Sequence, residues 1–477
     1  MTDNHFPLKK TKIVCTIGPA SQSQQVLEQM MVNGMNIARI NFAHGGFEGH
    51  RQVIRNIRMA AEKVRTQVAI FGDLPGPKMR IGKLAEEPIQ LEREQPFILQ
   101  TGEIVGNEKR VSMSFERLPY VVKPGDYIFL NDGFIQLKVD EIKAEEVHCI
   151  VKVGGELRSH KGLNLPGIEL GISAFTPYDQ KCLEFAAEQQ LDGVSQSFVE
   201  SAADILAVRE AAHQLGYDPF IIAKIERSGA IDHISDILKV TDGIMVARGD
   251  LGVEIAIEKV AAVQKQLIVA ANLQGRPVIT ATHMLESMTS TRRPTRAEVT
   301  DVANAILNGT DCVMLSGETA IGSFPDEAVA VMARIAQVTE TSEESIGVAD
   351  LLKVQQATGE ITKQDLISFD IFQSTLTLNP VVLFVPSASG DMARRITRFR
   401  LKEWIVAPCL DKRTSQKLQF SFGILPQLLT RNPLSWPYFA QEWLKDYGLE
   451  DQVAMVVEGG GTLKAGDTTR IDIINLA

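Results

Sequence analysis

Short apolar runs recur along the first two thirds of the chain, and segments with helical periodicity separate them. Nearly every position in these runs is apolar, which is typical of strands buried on both faces of a parallel sheet. Several helical segments end on a glycine suited to a C-cap. Eight strands are predicted, at 11–18, 36–43, 68–74, 193–199, 220–226, 243–250, 277–285 and 312–317. Alternating strands and helices of this number predict an α/β fold that closes into a (β/α)8 TIM barrel.

A long β-rich segment separates the third predicted strand from its helix. That strand ends at Leu74, whereas the next helical pattern begins at 176–177 with an N-cap threonine and a first-turn proline. The intervening residues alternate between polar and apolar, with hairpin signals at 124–126 and 131–133. We predict an inserted β domain over 84–162, mounted on a βα loop where it is placed to act as a lid.

A third unit follows the barrel. The polar stretch 342–347 marks a boundary, and strands and helices then alternate again toward the C-terminus. The predicted domains are the barrel (8–83 and 163–342), the inserted β lid (84–162) and a C-terminal α/β domain for regulation or assembly (343–477).

Composition and charge narrow the classes of function. The chain has 477 residues, of which 49 are Lys or Arg and 59 are Asp or Glu, so its formal charge is −10. This balance provides no overall basic field, and we predict neither a nucleic-acid nor a membrane partner. The five cysteines are far apart, odd in number and without a C-x-x-C pair, which is typical of free thiols in a reducing compartment. The N-terminus lacks the apolar region of a signal peptide, so a cytoplasmic location is expected.

Polar residues stand at the carboxyl ends of several predicted strands. In a barrel these ends meet at one mouth, where active sites are built. Glu226 and Asp250 follow different strands, and two carboxylates facing one cavity suit a divalent ion such as magnesium. Cations placed beside them suit a phosphorylated, anionic substrate. The residues concerned are Arg39, Asn41, Asp73, Arg80, Lys224, Glu226, Arg248, Asp250, Thr282, Ser316 and Glu318.

These residues also have purely structural interpretations. Glu226 could be only the partner that a buried Lys224 requires, and the Thr282 and Ser316 hydroxyls could satisfy nearby turns. Spacing alone does not separate the two interpretations. Neither a GxxxxGK[ST] loop nor a GxGxxG fingerprint is present, so a nucleotide would have to be held in some other way.

Several longer sequence segments resemble those of a known protein family. They are NIARINFAHG, GDLPGPKMRIG, HKGLNLPG, IIAKIE, DGIMVARGDLGVEI, PVITATHMLESM and RRPTRAEVTDVANAILNGTDCVMLSGETAIGSFPDEAV. In this order they closely resemble pyruvate kinases, from about Thr11 to Ala330. The resemblance implies transfer of the phosphoryl group of phosphoenolpyruvate to ADP, giving pyruvate and ATP in glycolysis. It also implies a magnesium cofactor, with manganese as a substitute, and a homotetramer.

The resemblance further assigns roles to individual residues. Lys161 comes from the end of the inserted domain, so closure of the lid would deliver it to the nucleotide. Thr282 and water are both candidates for relaying a proton to the enolate. The implied set is Lys224, Arg39, Arg80 and Thr282 for catalysis; Ala247, Gly249, Asp250, Thr282 and Lys224 for the substrate; Asn41, His44, Arg80 and Lys161 for the nucleotide; and Glu226 and Asp250 for the metal.

One departure from the family concerns its monovalent cation. The family usually has a serine at Ala43, a threonine at Leu74 and a glutamate at Lys78, which build a potassium site together with Asn41 and Asp73. Here one oxygen ligand is missing and a fixed ammonium is present. We predict that Lys78 supplies the charge of the ion and repels it, so that potassium is not required.

A second departure lies in the C-terminal domain. Many relatives bind a phosphorylated effector at a Ser/Thr-rich loop that opens a helix, and the equivalent segment here is PSASGDMARR. Asp391 would repel a phosphate, so simple helix capping is an equal alternative. The candidate effector residues are Ser387, Ser389, Gly390, Arg394 and Arg395.

Two other classes of function stay open on the residues alone. A barrel with Lys224, Glu226 and Asp250 could be a lyase or aldolase of pyruvate-like substrates that needs no nucleotide. The divergence of the C-terminal domain also allows a non-catalytic metabolite sensor. Pyruvate formation that depends on ADP would distinguish the kinase from both.

Overall fold

The first part of the barrel opens the chain. The structure, a computed structural model, describes residues 6–341, 347–359, 361–449, 451–459 and 468–475. Strands here are buried at most positions because they face the barrel interior on one side and a layer of helices on the other. The elements are β1 (Lys12–Thr16), α1 (Gln24–Val32), β2 (Ile37–Asn41), α2 (Phe47–Lys63) and β3 (Ala69–Leu74).

The inserted segment forms a β domain with its own core. Six strands form one sheet in the order β11-β7-β8-β9-β5-β6, and β4 pairs with β10. Its buried apolar cluster runs from Met79 to Leu170. Its elements are β4 (Ile89–Leu91), β5 (Pro96–Gln100), β6 (Arg110–Ser112), α3 (Leu118–Val121), β7 (Tyr127–Leu130), β8 (Ile135–Lys143), β9 (Glu146–Val153), β10 (Gly155–Leu157) and β11 (Leu163–Asn164).

Of the two hairpin signals in this domain, one is confirmed. Residues 131–133 connect β7 to the antiparallel β8, and Gly133 has a φ of 88°. The signal at 124–126 is wrong as a hairpin, because α3 rather than a strand precedes it and the turn only leads into β7.

The second part of the chain completes the barrel. All eight barrel strands are parallel, in the closed order β1-β16-β15-β14-β13-β12-β3-β2, which confirms the predicted (β/α)8 barrel. Two short 3₁₀ helices lie at Ile257–Lys259 and Glu286–Thr289. The elements are α4 (Pro177–Glu188), β12 (Gly193–Gln196), α5 (Ala202–Gln214), β13 (Phe220–Ile225), α6 (Ser228–Asp232), α7 (Ile234–Val240), β14 (Gly243–Ala247), α8 (Arg248–Glu254), α9 (Val260–Leu273), β15 (Val278–Ala281), α10 (Arg296–Leu307), β16 (Cys312–Leu315), α11 (Gly317–Ala320) and α12 (Pro325–Thr339).

Seven of the eight predicted strands end one to four residues earlier than expected, and two of these early ends shape the barrel mouth. The run 243–250 stops at Ala247, where α8 begins, and the run 277–285 stops at Ala281. Thr282 and His283 have φ angles of 75° and 53°, which no strand adopts. Arg248 fixes this bend, because its guanidinium donates to the carbonyl oxygens of Ala281 at 3.1 Å and Thr282 at 2.7 Å.

The C-terminal domain is a five-stranded sheet with helices. Its strand order is β19-β18-β17-β20-β21, and only β21 is antiparallel. The predicted domain boundary at 342–343 lies outside the described residues. The elements are α13 (Val348–Thr358), α14 (Lys363–Leu378), β17 (Val382–Phe384), α15 (Asp391–Thr397), β18 (Trp404–Cys409), α16 (Lys412–Lys417), a 3₁₀ turn at Leu418–Phe420, β19 (Ile424–Leu428), α17 (Trp436–Asp446), β20 (Ala454–Gly459) and β21 (Thr468–Ile474).

This domain closes the end of the barrel where the strands begin. Phe420 belongs to the cluster of side chains that fills the barrel interior, and its ring stacks on that of Phe220 with centroids 4.6 Å apart. All five cysteines are buried free thiols, as predicted. Within the described part of the chain, no helix is long and apolar enough to cross a membrane.

Candidate active site

Asp73, the second-last residue of β3, organises the charges at the barrel mouth. Its side chain is only 4% exposed. Its carboxylate accepts hydrogen bonds from Arg39 Nε at 3.0 Å and Ser195 Oγ at 2.6 Å, and Lys224 Nζ lies 3.7 Å away. Burial alone would raise the pKa of Asp73, but the charges of Lys224 and Arg39 outweigh it and lower that pKa to about 2. Asp73 is therefore a permanent anion that holds two cations in place.

Lys224 lies in β13 with its ammonium close to two acids. Nζ donates to Ser197 Oγ at 2.6 Å and lies 3.2 Å from Glu226 Oε2. Burial acts to lower the pKa of Lys224, but Asp73 and Glu226 raise it above its ordinary value. The result is a nearly buried, charged amine, since the side chain is only 11% exposed.

Glu226 and Asp250 bring two carboxylates to the same place. Glu226 is 1% exposed, and its Oε1 accepts a hydrogen bond from the backbone N–H of Phe198 at 2.6 Å. Its Oε2 is buried and makes no hydrogen bond with any described residue. Burial raises the pKa of Glu226, Lys224 lowers it, and the charge of Asp250 raises it again. Asp250, in the first turn of α8, is therefore close enough to act on Glu226 electrostatically.

This donor set fits a magnesium ion. No cluster of three or more His, Cys, Asp or Glu side chains with metal-site geometry occurs among the described residues. Mg²⁺ does not require one, because it commonly binds one or two carboxylates and completes its shell with waters and substrate phosphates. Glu226 Oε2 accepts no hydrogen bond from a described residue and lies 3.2 Å from Lys224 Nζ, so it is available as a ligand atom for such an ion.

Further cations line the side of the mouth that faces the inserted domain. The pKa of His44 is lowered by desolvation and then by Lys78, Arg80 and Arg39, so these four side chains share one region. Arg80 lies at the seam between domains: its backbone bridges Gly162, and its Nη1 donates to the His160 carbonyl at 2.8 Å. Half-buried Lys161 lies between those two residues.

The start of α8 packs directly against the loop after β15. A Cβ at Gly249 would lie only 2.8 Å from Thr282 Cγ2, so a larger residue there would push the loop and the helix apart. Ala247 immediately precedes the helix. The structure thus brings Ala247, Gly249, Asp250 and Thr282 together, and the first backbone N–H groups of α8 lie beside them.

Comparison with known proteins agrees with this architecture. Residues 8–329 match the family described as pyruvate kinase, barrel domain. This chain belongs to the pyruvate kinase family. Pyruvate kinases from Thermococcus litoralis and Bacillus licheniformis are 44% and 41% identical to it, over 97% and 87% of this chain and 94% and 71% of theirs. The crystal structure of a pyruvate kinase from Cryptosporidium parvum matches 98% of this chain and 97% of its own, with a TM-score of 0.90 and 33% identity.

The family assignment settles the class of reaction. A pyruvate kinase is a phosphotransferase that converts phosphoenolpyruvate and ADP into pyruvate and ATP. The lyase or aldolase and the non-catalytic sensor are therefore set aside as functions of this chain.

The oxygens that would form the family's potassium site are engaged within the protein. Asn41 Oδ1 accepts a hydrogen bond from the Ala43 backbone N–H at 3.1 Å, and Asp73 binds Arg39 and Ser195 as described above. Lys78 is exposed. Partial desolvation and the charge of Lys224 lower the pKa of Lys78, which places its ammonium near the same group of charges.

The candidate effector loop of this pyruvate kinase is engaged in its own contacts. Ser387 Oγ accepts from the Gly390 N–H at 2.7 Å, and Arg394 Nη2 donates to the Ser389 carbonyl at 2.9 Å. Arg395 pairs with Asp391 at 2.9 Å and with Asp365 at 2.6 Å. Contacts of this kind favour the capping interpretation over the effector one.

Some residues of the site carried little signal in the sequence. Ser195 in β12 binds Asp73, and Ser197, directly after that strand, binds Lys224; the only hint in the sequence is the alternation of hydroxyls with other residues. Glu318, in contrast, is structural: its carboxylate accepts the backbone N–H groups of Leu285 at 2.9 Å and Ser316 at 2.7 Å.

Proposed function

We propose that phosphoryl transfer in this pyruvate kinase takes place in front of Lys224, with Arg39 and Arg80 on the same phosphoryl group. The observation that carries this assignment is the nearly buried ammonium of Lys224, fixed by Ser197 and flanked by Asp73 and Glu226. A preorganised cation that is shielded from water stabilises charge as it develops on phosphoryl and enolate oxygens.

The reaction then follows from this placement. An oxygen of the ADP β-phosphate attacks the phosphorus, and the bond from phosphorus to the enol oxygen breaks. Its electron pair stays on the enolate, whose oxygen lies near Lys224. The methylene carbon then takes a proton, relayed by Thr282 or water, to give pyruvate.

Glu226 and Asp250 are the proposed metal ligands. A divalent cofactor is a property of the family, and Mg²⁺, or Mn²⁺ in its place, would contribute positive charge opposite the transferring phosphoryl oxygens. The buried Oε2 of Glu226, which pairs with Lys224 at 3.2 Å but accepts no hydrogen bond from a described residue, supports this assignment.

The two substrates are assigned to opposite sides of the mouth. The pyruvate moiety would lie against Ala247, Gly249, Asp250 and Thr282, with its carboxylate on the N–H groups that open α8. The nucleotide would lie against Asn41, His44, Arg80 and Lys161, below the inserted domain. Arg80 lies at the seam between the barrel and the inserted domain, which supports its assignment both to the phosphoryl group and to the nucleotide.

We further propose that this enzyme is independent of potassium, because Lys78 supplies a fixed positive charge beside Asp73. The engagement of Asn41 and Asp73 in internal hydrogen bonds supports this proposal. Leu74 is completely buried and has no side-chain oxygen to offer.

Three further assignments concern the whole enzyme. We propose a homotetramer and a cytoplasmic location, and we retain Ser387, Ser389, Gly390, Arg394 and Arg395 as a candidate effector site. Sedimentation analysis of the purified chain tests the assembly. Initial velocities with and without phosphorylated metabolites test the effector site.

The decisive experiment is the formation of pyruvate by the purified chain from phosphoenolpyruvate, ADP and MgCl2, followed by coupled oxidation of NADH. We expect activity that requires both ADP and the divalent ion. Pyruvate formation at the same rate without ADP would mean that water takes the phosphoryl group, and it would contradict transfer to ADP. Binding of phosphoenolpyruvate without turnover would favour the sensor.

A further inference from the structure

Arg227 joins three separate segments beneath the barrel mouth. It directly follows Glu226, and its side chain is only 4% exposed. Nη1 lies 3.1 Å from Glu200 Oε2 in the loop after β12, and Nη2 donates to the Ile168 carbonyl at 2.7 Å. Nε lies 3.9 Å from Glu254 Oε2, at the end of α8. One guanidinium thus contacts the barrel, the substrate-side helix and the segment that returns from the inserted domain.

The pair between Arg227 and Glu254 is incomplete. Arg227 Nε and Glu254 Oε2 are both buried, and neither makes a hydrogen bond with a described residue. An N–H···O hydrogen bond has a length of about 2.9 Å, so an approach of about 1 Å would complete the pair. The same carboxylate receives a hydrogen bond from the backbone of Ser228, which keeps Glu254 aligned with Arg227. Buried donors and acceptors without partners are uncommon and unfavourable, so this pair favours any state that closes the gap.

The inserted domain also comes close to α8 at a second point. A Cβ at Gly133, in the turn between β7 and β8, would lie 3.4 Å from Val253 Cγ2. Val253 is the neighbour of Glu254 in α8, whose first turn carries Gly249 and Asp250. The lid therefore reaches α8 directly through its hairpin and indirectly through Ile168 and Arg227.

We propose that Arg227 is a positioning residue that couples closure of the inserted domain to the placement of α8, and that its pair with Glu254 is completed when α8 binds its ligands. This inference rests on the proposed function, in which Asp250 and the opening amides of α8 hold the metal and the substrate. Ligands that favour the closed state then bind more tightly because Arg227 lowers the free energy of that state.

The test compares Arg227→Gln, Arg227→Lys and Glu254→Gln with the parent enzyme. We expect Arg227→Gln to weaken apparent affinity for phosphoenolpyruvate and Mg²⁺ by about tenfold, a coupling of about 1.4 kcal/mol, with a smaller change in kcat. Glu254→Gln should act in the same direction, and the double variant should be no worse than Arg227→Gln alone. Arg227→Lys should recover part of the loss.

Hydrogen exchange provides a readout that does not depend on turnover. In the parent, adding phosphoenolpyruvate with Mg²⁺ should protect both 165–172 and 248–256, whereas in Arg227→Gln protection of the two segments should no longer change together. Arg209→Gln is the matched control, since Arg209 pairs with Asp242 at 2.9 Å away from these segments. It should alter neither affinity nor exchange.

Three results bear on the inference in different ways. A variant at Arg227 that melts earlier yet keeps the parent's affinities and linked exchange would overturn it and leave Arg227 a structural residue. If Arg227→Gln does not fold, Glu254→Gln decides the question by the same measurements. An Asp250→Asn variant with unchanged metal activation would instead contradict the proposed function, so the two failures are distinguishable.

Discussion

A nearly buried ammonium is stable only where acids compensate its loss of solvent, and Lys224 has two such acids. Asp73 and Glu226 keep it charged, while Ser197 fixes its direction. We expect Lys224→Met to fold and to lose turnover by on the order of 100-fold or more, as when an oxyanion-hole donor is removed. The coupled pyruvate assay measures this loss.

Lys12→Met is the matched control for that variant. Lys12 is also a buried barrel lysine, but its Nζ donates to the Ile424 carbonyl at the opposite end of the strands. It should cost stability and leave kcat near that of the parent. Turnover of Lys224→Met within about threefold of the parent corresponds to less than 1 kcal/mol and would remove Lys224 from the mechanism.

A second residue predicts how stability depends on pH. Burial, followed by the charge of Lys12, lowers the pKa of Lys9 from 10.5 to about 7. Between these values the unfolded chain binds more protons than the folded one, so Lys9 makes stability rise with pH by up to about 1.4 kcal/mol per unit. The stability gained in this way is lost progressively as the pH falls from 10.5, and the loss is complete below about 7.

Replacing Lys9 with Met should therefore flatten the pH dependence of stability. Relative to the parent, Lys9→Met should be more stable near pH 7 than near pH 9.5, as measured by thermal melting at fixed protein concentration. Lys63→Met, at an exposed lysine that pairs with Glu28, should show no such trend. A constant difference between Lys9→Met and the parent at both pH values would contradict the expectation.

At the scale of elements, the barrel strands could be predicted from sequence, but the residues at which they end could not. A strand that is buried on both faces has a run of consecutive apolar residues, so all eight strands could be located from sequence. The bend at Thr282 and the start of α8 depend on Arg248, which bonds residues more than 30 positions away. Such a contact leaves no periodic pattern in the chain.

The candidate site divides in the same way. Strand ends indicated Arg39, Asp73, Lys224 and Glu226, because parallel strands bring their carboxyl ends to one mouth whatever their separation in sequence. Arg227 follows the same strand but gave no signal. Its three partners come from three other segments, and only the folded chain brings them together.

The metal prediction concerns the residue directly after β13 and the first turn of α8. We expect Glu226→Gln and Asp250→Asn each to raise the Mg²⁺ concentration needed for half-maximal velocity by tenfold or more, because each removes one of two anionic ligands. Melting of the metal-free protein should change little. Glu318→Gln, which alters a buried acid bound to backbone N–H groups, should leave metal activation unchanged. A large loss of stability in both site variants would show instead that these acids are ion-pair partners.

The loop after β3 carries the prediction about potassium. The parent enzyme should reach full velocity without potassium, and Lys78→Glu should lose activity in a buffer free of sodium and potassium, because it replaces the fixed cation with an anion. Potassium should restore part of that activity, and more of it when Ala43→Ser is added. Velocities are measured against KCl, with tetramethylammonium chloride holding ionic strength constant.

Lys83→Glu is the control for this charge reversal. Lys83 is an exposed lysine further along the same connection, so its reversal should create no dependence on potassium. Strong activation of the parent by potassium would contradict the proposal and make Lys78 an ordinary loop lysine.

At the scale of the whole molecule, the two outer domains lie at opposite ends of the barrel. The inserted domain leaves from the carboxyl end of β3, where the proposed site lies. The C-terminal domain packs where the strands begin, and Phe420 fills the barrel from that side. In barrels of this kind the site end carries chemistry and the opposite end carries stability. Contacts at the C-terminal junction should therefore affect melting before they affect turnover.

Arg400 is the contact that tests this division. Its Nη1 and Nη2 lie 2.9 and 3.0 Å from the two oxygens of Asp311, which precedes β16, and Nη2 also lies 3.1 Å from Asn272 Oδ1. Asp311 also accepts a hydrogen bond from the backbone N–H of Phe422 at 3.0 Å, so this barrel residue binds two residues of the C-terminal domain. Both charged side chains are largely buried, with 10% and 4% exposed. Removing one partner of such a pair leaves an uncompensated charge and costs about 3–5 kcal/mol.

Arg400→Gln should therefore lower the melting temperature by about 5 °C or more while kcat stays near that of the parent at a temperature where both are folded. Asp311→Asn in the same chain should recover part of the loss, because it neutralises the carboxylate left behind. Arg431→Gln, at an exposed arginine of the same domain, should leave melting unchanged. Melting within a degree of the parent would show that the pair does not hold the junction. A fall in kcat with full folding would show that the junction acts on the distant mouth, since Arg400 itself touches no residue of the proposed site.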